Sequence, residues 1–218
     1  MMPTIDPFPS VLPIFPLAGA LLLPQTELPL NVFEPRYMAM VNDVLGMPHR
    51  MIGMVQPRRN DGGPDDVYQI GCAGRITSFH ETNDGRYLMT LWGVQRFRIV
   101  SELPQKNGYR HVIPDFSAYE RDHMASQKKI LDRTRLMVLL KEYFKAEGLT
   151  CNWDNVDSAS DDMLISALSM ACPLDPSEKQ ALLEAQNAED RGDIFMSLLE
   201  MAVAQDRSGQ EAGSYKVH

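Results

Sequence analysis

The sequence predicts an α+β fold, a small closed or half-closed β barrel with one inserted helix followed by a bundle of helices. Three observations carry that expectation. Roughly six or seven short β-rich runs crowd the chain ahead of Phe116 with no alternating strand–helix rhythm. An Asp-Gly turn joins two of them. From about Ser117 the strand signals stop and apolar residues recur at helical spacing.

The first run, VLPIFPL (Val11–Leu17), is extended because Pro13 and Pro16 forbid a helix, and proline in a strand marks an edge or an end. Leu28–Phe33 reads as a second strand. Pro35 then suits the first position of a helix, where its missing N–H costs nothing. Tyr37, Met40, Val41, Val44 and Leu45 give that helix its apolar stripe, and Gly46 is placed to end it. Arg50–Pro57 is a third strand, followed by the polar loop RRNDGGPDD. Gly74–Thr82 and Arg86–Gly93 flank Asn83-Asp84-Gly85 as a hairpin. Gly93 is expected to break the strand before Val94–Leu103, and Tyr109–Phe116 is the last run, closed by Pro114.

In the second half, Ile130, Leu131, Met137, Val138, Leu140, Tyr143 and Phe144 mark a helix that Gly148 stops. A second helix is expected from a cap at Asp157 or Ser158, with Met163, Leu164, Ala167, Leu168 and Ala171 inside and Asp161 and Asp162 at the positive end of its dipole. Asp175, Pro176 and Glu178 form a capping box for a third. DIFMSLLEMAVAQ is a fourth, burying Ile194, Phe195, Leu198, Leu199 and Ala202. The boundaries read are a β domain over 1–118, a helical bundle over 119–205 and a flexible tail over 206–218.

Composition narrows the function. A chain of 218 residues with 44% hydrophobic and 23% charged residues builds a sizeable core. Its formal charge of −8 argues against nucleic acid as a partner, because such domains carry a basic patch. Cys72, Cys151 and Cys172 are far apart and odd in number, which fits free, buried thiols in a reducing compartment. The N-terminus lacks a basic region and its apolar stretch is cut by prolines, so neither a signal peptide nor a membrane span is expected, and the cytoplasm is the expected location.

Chemistry is sought mostly in vain. No Gly is followed by Lys, which removes the phosphate loop, and neither G-x-S-x-G nor G-x-G-x-x-G occurs. The five histidines have no metal-ligand spacing. The carboxylate runs DGGPDD and SDD read as solvated loop and helix start. No catalytic, metal or cofactor-binding residue is therefore assigned. The fourteen methionines read as core filling. The densest cluster is Phe33-Glu34-Pro35-Arg36-Tyr37, where strand gives way to helix. It reads as a structural joint: Phe33 closes a strand into the core, and Glu34 pairs with an arginine of the strands, Arg75 and Arg96 being the assigned partners.

Several blocks together resemble a known family. LPIFPLAGALLLPQTELPLNVFEPRYMAMV resembles the opening of the Lon protease N-terminal, substrate-binding domain, above all its stand-alone bacterial form. IGCAGRITSFHETNDGRYLMTLWGVQRFRI, CPLDPSEKQALLEA and RGDIFMSLLE are similar to later blocks of that family in the same order. One departure is Gln25, where the family's opening turn usually carries Gly. The ATPase and peptidase modules of the full protease are not in this sequence. The resemblance implies a PUA-like pseudo-barrel followed by a helical bundle, and a non-catalytic module that binds protein or peptide segments, unfolded ones included, with a protease or chaperone as a further partner. Phe15, Pro16 and Leu17 are the assigned peptide-binding residues, on the expectation that their strand is an open edge. A carboxylate-dependent hydrolase and an RNA-binding PUA-like domain are the alternative readings.

Overall fold

A computed structural model describes residues 8–58, 66–123, 132–150 and 159–214. The chain forms two compact units. The first takes in residues up to Ala125 together with Cys172–Leu183, and the second takes in Ser126–Ala171 and Glu184 onward.

The first unit is built on six strands: β1 (Leu12–Pro16), β2 (Glu27–Val32), β3 (Met51–Val55), β4 (Ile70–Glu81), β5 (Tyr87–Lys106) and β6 (Tyr109–Asp115). Helix α1 (Pro35–Leu45) lies between β2 and β3 in sequence. The sheet runs β2-β5-β4-β3-β1-β6, and β5 pairs again with β6, which closes a barrel. Closure is possible because β5 is 20 residues long. Its first half pairs with β2 and the distal part of β4, and its second half pairs with β6. The core is filled by Leu12, Ile14, Met51, Val55, Phe97, Ile99 and Val112.

The expected break at Gly93 does not occur. A side chain there would meet the Leu23 carbonyl oxygen at 1.9 Å, so glycine is present to let the β1–β2 loop approach an unbroken strand. That loop is held by Gln25 N donating to the Gly93 carbonyl at 2.8 Å and Gly93 N donating to that of Thr26 at 2.8 Å. Gln25 takes the left-handed conformation with φ 62°. A second hairpin, β5–β6, turns at Asn107-Gly108, both at positive φ, as a two-residue turn between twisted strands requires.

Helix α1 begins at Pro35, buries Tyr37, Met40, Val41 and Val44, and ends at Gly46, as its spacing predicts. Also in the first unit, α4 (Pro176–Glu184) starts with the expected capping box, Asp175 N donating to Glu178 Oε2 at 2.8 Å. Lys179 Nζ donates to the Gly19 carbonyl at 2.6 Å and Gln180 Nε2 to that of Ile70 at 3.1 Å, so this helix is tied to the strands by polar side chains. Burial pushes the Lys179 amine below its ordinary pKa.

The second unit contains α2 (Arg133–Ala146), α3 (Asp161–Ala171) and α5 (Ala188–Ser214). In α2, Leu136, Leu140 and Tyr143 are buried while Val138 faces solvent, and Ile130 and Leu131 lie outside the described residues. In α3 Leu164 and Leu168 are buried as expected, together with Ile165, while Met163, Ala167 and Ala171 are exposed. The expected caps Asp157 and Ser158 lie outside the described residues; Ser160 Oγ accepts the N–H of Met163 at 3.4 Å. Asp161 in the first turn of α3 pairs with Arg133 at 2.6 Å. Helix α5 begins at an Asn187 cap and continues past Gln205. It buries Phe195 and Leu199, with Ile194, Leu198 and Ala202 half-buried. Cys72 and Cys172 are buried free thiols, and Cys151 lies outside the described residues.

Candidate functional site

The joint between β2 and α1 is a local device. The Glu34 carbonyl accepts the N–H groups of Tyr37 and Met38, each at 3.0 Å. Its carboxylate pairs with Arg36 at 2.9 Å, both side chains about half exposed, at 45% and 51%. The Arg36 guanidinium lies 4.6 Å from the centre of the Tyr37 ring, and that buried ring packs on Phe15 at 4.1 Å.

The expected bond from Glu34 to Arg75 or Arg96 is not made. Arg36 is two residues away and takes the carboxylate first. Arg75 is exposed on β4. Arg96 is committed to Asp122: Nε and Nη2 reach the carboxylate at 2.7–3.1 Å, and Nη1 donates to the Leu183 carbonyl at 2.9 Å. Its guanidinium also covers the Tyr119 ring at 4.6 Å. Phe33 is not in the core. It lies past the end of β2, is 62% exposed, and has Arg86 at 6.0 Å from its ring centre.

The strand that holds Phe15 and Pro16 is not an edge of the sheet, although its pairing with β6 covers only Leu12–Ile14. β1 runs parallel to β3 on one side and antiparallel to β6 on the other. Phe15 is buried, and Leu17 N donates to the Val55 carbonyl at 3.2 Å. Pro16, where pairing with β6 has ended, has no N–H to offer. Of the two prolines that signal an edge from sequence alone, Pro16 instead ends a central strand and Pro13 lies within it, opposite His111.

The structure does bring Pro16, Arg36 and Tyr37 together, in a cleft of about 180 Å³ that Tyr109 and Arg110 also line. Asp66 lines it too, and both of the cleft's guanidinium groups are paired with neighbouring carboxylates. Arg110 holds Glu102 through Nε and Nη2 at 2.7 and 2.6 Å. Tyr109 donates to Asp43 at 2.7 Å, and Lys106 pairs with the same carboxylate at 3.1 Å. The Tyr109 hydroxyl and the Lys106 ammonium hold the Asp43 carboxyl below its ordinary pKa. Burial and Asp43 push the Tyr109 phenol up. With its guanidinium groups already paired, the cleft has less to attract an anionic ligand.

A different surface is less satisfied. β2, the first half of β5 and the distal half of β4 form a three-stranded extension of the barrel. Register places Pro29, Thr90 and Ser78 in one cross-strand row and Asn31, Leu88 and His80 in the next. The other face is the buried one, with Leu30, Val32, Tyr87, Met89 and Leu91. On the outer face Leu88 is 44% and Trp92 40% exposed; Phe79, opposite Met89, belongs to the other face and is exposed at the β4 edge. Around Leu88 is a groove of about 400 Å³ lined by Pro29, Asn31, Ser78, His80, Leu88 and Thr90. Its floor is apolar, and hydroxyl, amide and imidazole groups stand along it. Such a surface buries apolar side chains and offers hydrogen bonds beside them. Among the described residues no cluster of histidines, cysteines and carboxylates is placed to hold a metal.

None of the groove residues was assigned a binding role from sequence. A signal was present in Tyr87-Leu88-Met89-Thr90-Leu91-Trp92. That run is apolar at nearly every position, although one face of the hairpin it forms meets solvent.

A Lon protease 2 of Myxococcus xanthus is 34% identical over 107 residues, 48% of this chain and 13% of the relative. A Lon protease of Dictyoglomus thermophilum is 27% identical over 188 residues, 84% of this chain and 23% of the relative. The chain thus spans less than a quarter of either relative's length. Among solved structures, a Lon N-terminal domain protein from Xanthomonas campestris aligns with a TM-score of 0.58 at 23% identity, covering 86% of this chain and 97% of that one. The N-terminal domain of a Mycobacterium avium complex Lon protease aligns with a TM-score of 0.56 at 16% identity, covering 89% and 98%. These two share the fold. The model of the ATP-dependent protease La (LON) substrate-binding domain matches residues 11–201, nearly the whole sequence, and the chain belongs to that family.

Proposed function

We propose that this chain is a non-catalytic binding module that holds apolar segments of other proteins on the outer face of β2, β5 and β4. The observation that carries the reading is the groove itself, with Leu88 and Trp92 exposed together on the outer face of one sheet. Exposed apolar side chains gathered in one patch mark an interaction surface more often than scattered ones do. Family membership supports a substrate-binding role. The segments come from unfolded or partly folded proteins in the cytoplasm, and a protease or chaperone receives them.

Trp92 is a built-in reporter, being one of two tryptophans in the chain. Replacing Trp153 with Phe leaves its emission alone. Titration with a reduced, unfolded protein should shift Trp92 emission to shorter wavelength. A labelled segment of the same protein should show saturable anisotropy below about tens of micromolar, near −6 kcal/mol. No saturable change with any unfolded protein in a panel would defeat the reading.

A further inference from the structure

The extension that carries the groove has two edges, and they differ. Residues of β2 alternate between facing β5 and facing outward. Thr26 faces β5, because its carbonyl accepts the Gly93 N–H at 2.8 Å. By alternation Leu28, Leu30 and Val32 also face β5, and Glu27, Pro29 and Asn31 direct their backbone groups outward. Proline cannot donate to a ladder, so its place on the outward set is the one chemistry requires. The middle of this edge therefore has no N–H, and a strand laid along β2 would leave a carbonyl without a donor.

The edge on the far side is β4. Among the described residues Ser78–Glu81 pair with β5 alone. Thr82 N donates to the Arg86 carbonyl at 2.9 Å, which sets the alternation: His80 and Ser78 face β5, and Phe79 and Glu81 face outward. Both outward residues have an N–H and a C=O, and both are exposed. The Phe79 ring stands at this edge, packed on Tyr87 with ring centres 5.0 Å apart.

We infer that the distal half of β4 is where a bound segment engages, by adding as a strand through the backbone of Phe79 and Glu81, while Pro29 closes the β2 edge to the same mode. This rests on the reading of the chain as a binder of protein segments and specifies how it binds them. Unpaired, alternating backbone donors and acceptors select an extended backbone and are indifferent to most of its sequence. Affinity comes from the ladder, and the Phe79 ring supplies an apolar contact for a side chain of the added strand. A second copy of this chain is the less favoured occupant, because two chains of formal charge −8 repel. For the same reason the preferred segment is apolar with basic flanks.

The test uses the full chain and a short peptide alternating valine and threonine between lysines, alongside the same peptide N-methylated at alternate residues. Glu81→Pro removes one outward donor from the β4 edge, and Asn31→Pro removes the equivalent donor from the β2 edge. The expected result is at least a tenfold loss of affinity for Glu81→Pro and for the N-methylated peptide, with Asn31→Pro unchanged. Hydrogen exchange on the unsubstituted protein should show Phe79 and Glu81 amides protected on saturation with peptide, a readout that needs no variant to fold. Protection at Glu27 and Asn31 instead, or equal binding of the N-methylated peptide, overturns the inference and leaves the binding function standing. Protection of Phe79 and Glu81 that rises with protein concentration alone assigns the edge to a second copy and also overturns it. Absence of binding by every peptide and unfolded protein removes both.

Discussion

The ion pair between Arg96 and Asp122 is the most consequential polar contact in the first unit, and its removal makes a sharp test. Each side chain is 5% exposed, and the closest approach is 2.7 Å. Asp122 accepts from Arg96 Nε, Nη2 and the backbone N, the last at 2.9 Å. In Asp122→Ala the guanidinium keeps the Leu183 carbonyl and the Tyr119 ring but loses its carboxylate. Breaking one side of a buried pair costs about 3–5 kcal/mol, because the remaining charge has lost its solvent and its partner. With a urea dependence of about 2 kcal/mol per molar, that lowers the unfolding midpoint by roughly 2 M. The assay is urea unfolding followed by far-UV circular dichroism. Arg96→Met with Asp122→Leu should recover much of the loss, since a pair of apolar side chains leaves no orphan charge. Glu34→Ala is the comparison: its pair with Arg36 is half exposed, and the expected cost is about 0–1 kcal/mol. A midpoint shift below about 0.5 M for Asp122→Ala, or a larger one for Glu34→Ala, would refute the ranking by burial.

Three further outcomes are expected. Gly93→Ala places a methyl 1.9 Å from the Leu23 carbonyl oxygen, so the β1–β2 loop must shift. The cost falls at or beyond the top of about 1–3 kcal/mol and is read as a lower thermal midpoint. Leu88→Asp puts a charge in the middle of the groove at an exposed position; stability should change by about 0.5 kcal/mol or less while anisotropy with unfolded proteins is lost. Asp43→Asn tests the Asp43–Tyr109–Lys106 cluster by pH. The folded pKa of Asp43 lies below its ordinary 3.8, so its stabilising contribution is complete above that value and fades as pH falls through the lower, folded value. The stability gap between the natural chain and Asp43→Asn should therefore be widest near neutrality and close in acid; a gap that widens in acid would contradict the assignment.

Elements whose cause is local were legible in the sequence. Pro35 and Gly46 bound α1, Asp175 and Glu178 cap α4, and Asp84-Gly85 turns a hairpin, because each acts within a few residues of itself. Features that depend on residues distant in sequence were not. Gly93 reads as a strand break until Leu23 is placed against it. Arg96 reads as a partner for Glu34 until the chain from Asp122 returns to it. The inner face of α3 was legible in part: Leu164 and Leu168 are buried as expected, but Met163 and Ala167 satisfy helical periodicity as well as Ile165 does, and only packing separates them.

Edges show the limit most clearly, because an edge is a property of pairing. Pro13 and Pro16 suggested one at β1, and a single proline in a short strand does favour that inference. Yet β1 is central: the long β5 carries β6 back to it and closes the barrel. Pro29, in a strand of the same length class, received no such reading and stands on a real edge. What separates them is the direction of the missing N–H. At Pro16 the absent donor coincides with the end of β6; at Pro29 it interrupts a free row of groups in the middle of β2. Sequence shows that a donor is missing, and topology decides whether its absence ends a ladder or guards one. The same topology leaves Phe79 and Glu81 unguarded, in residues that the sequence marks only as half of a hairpin.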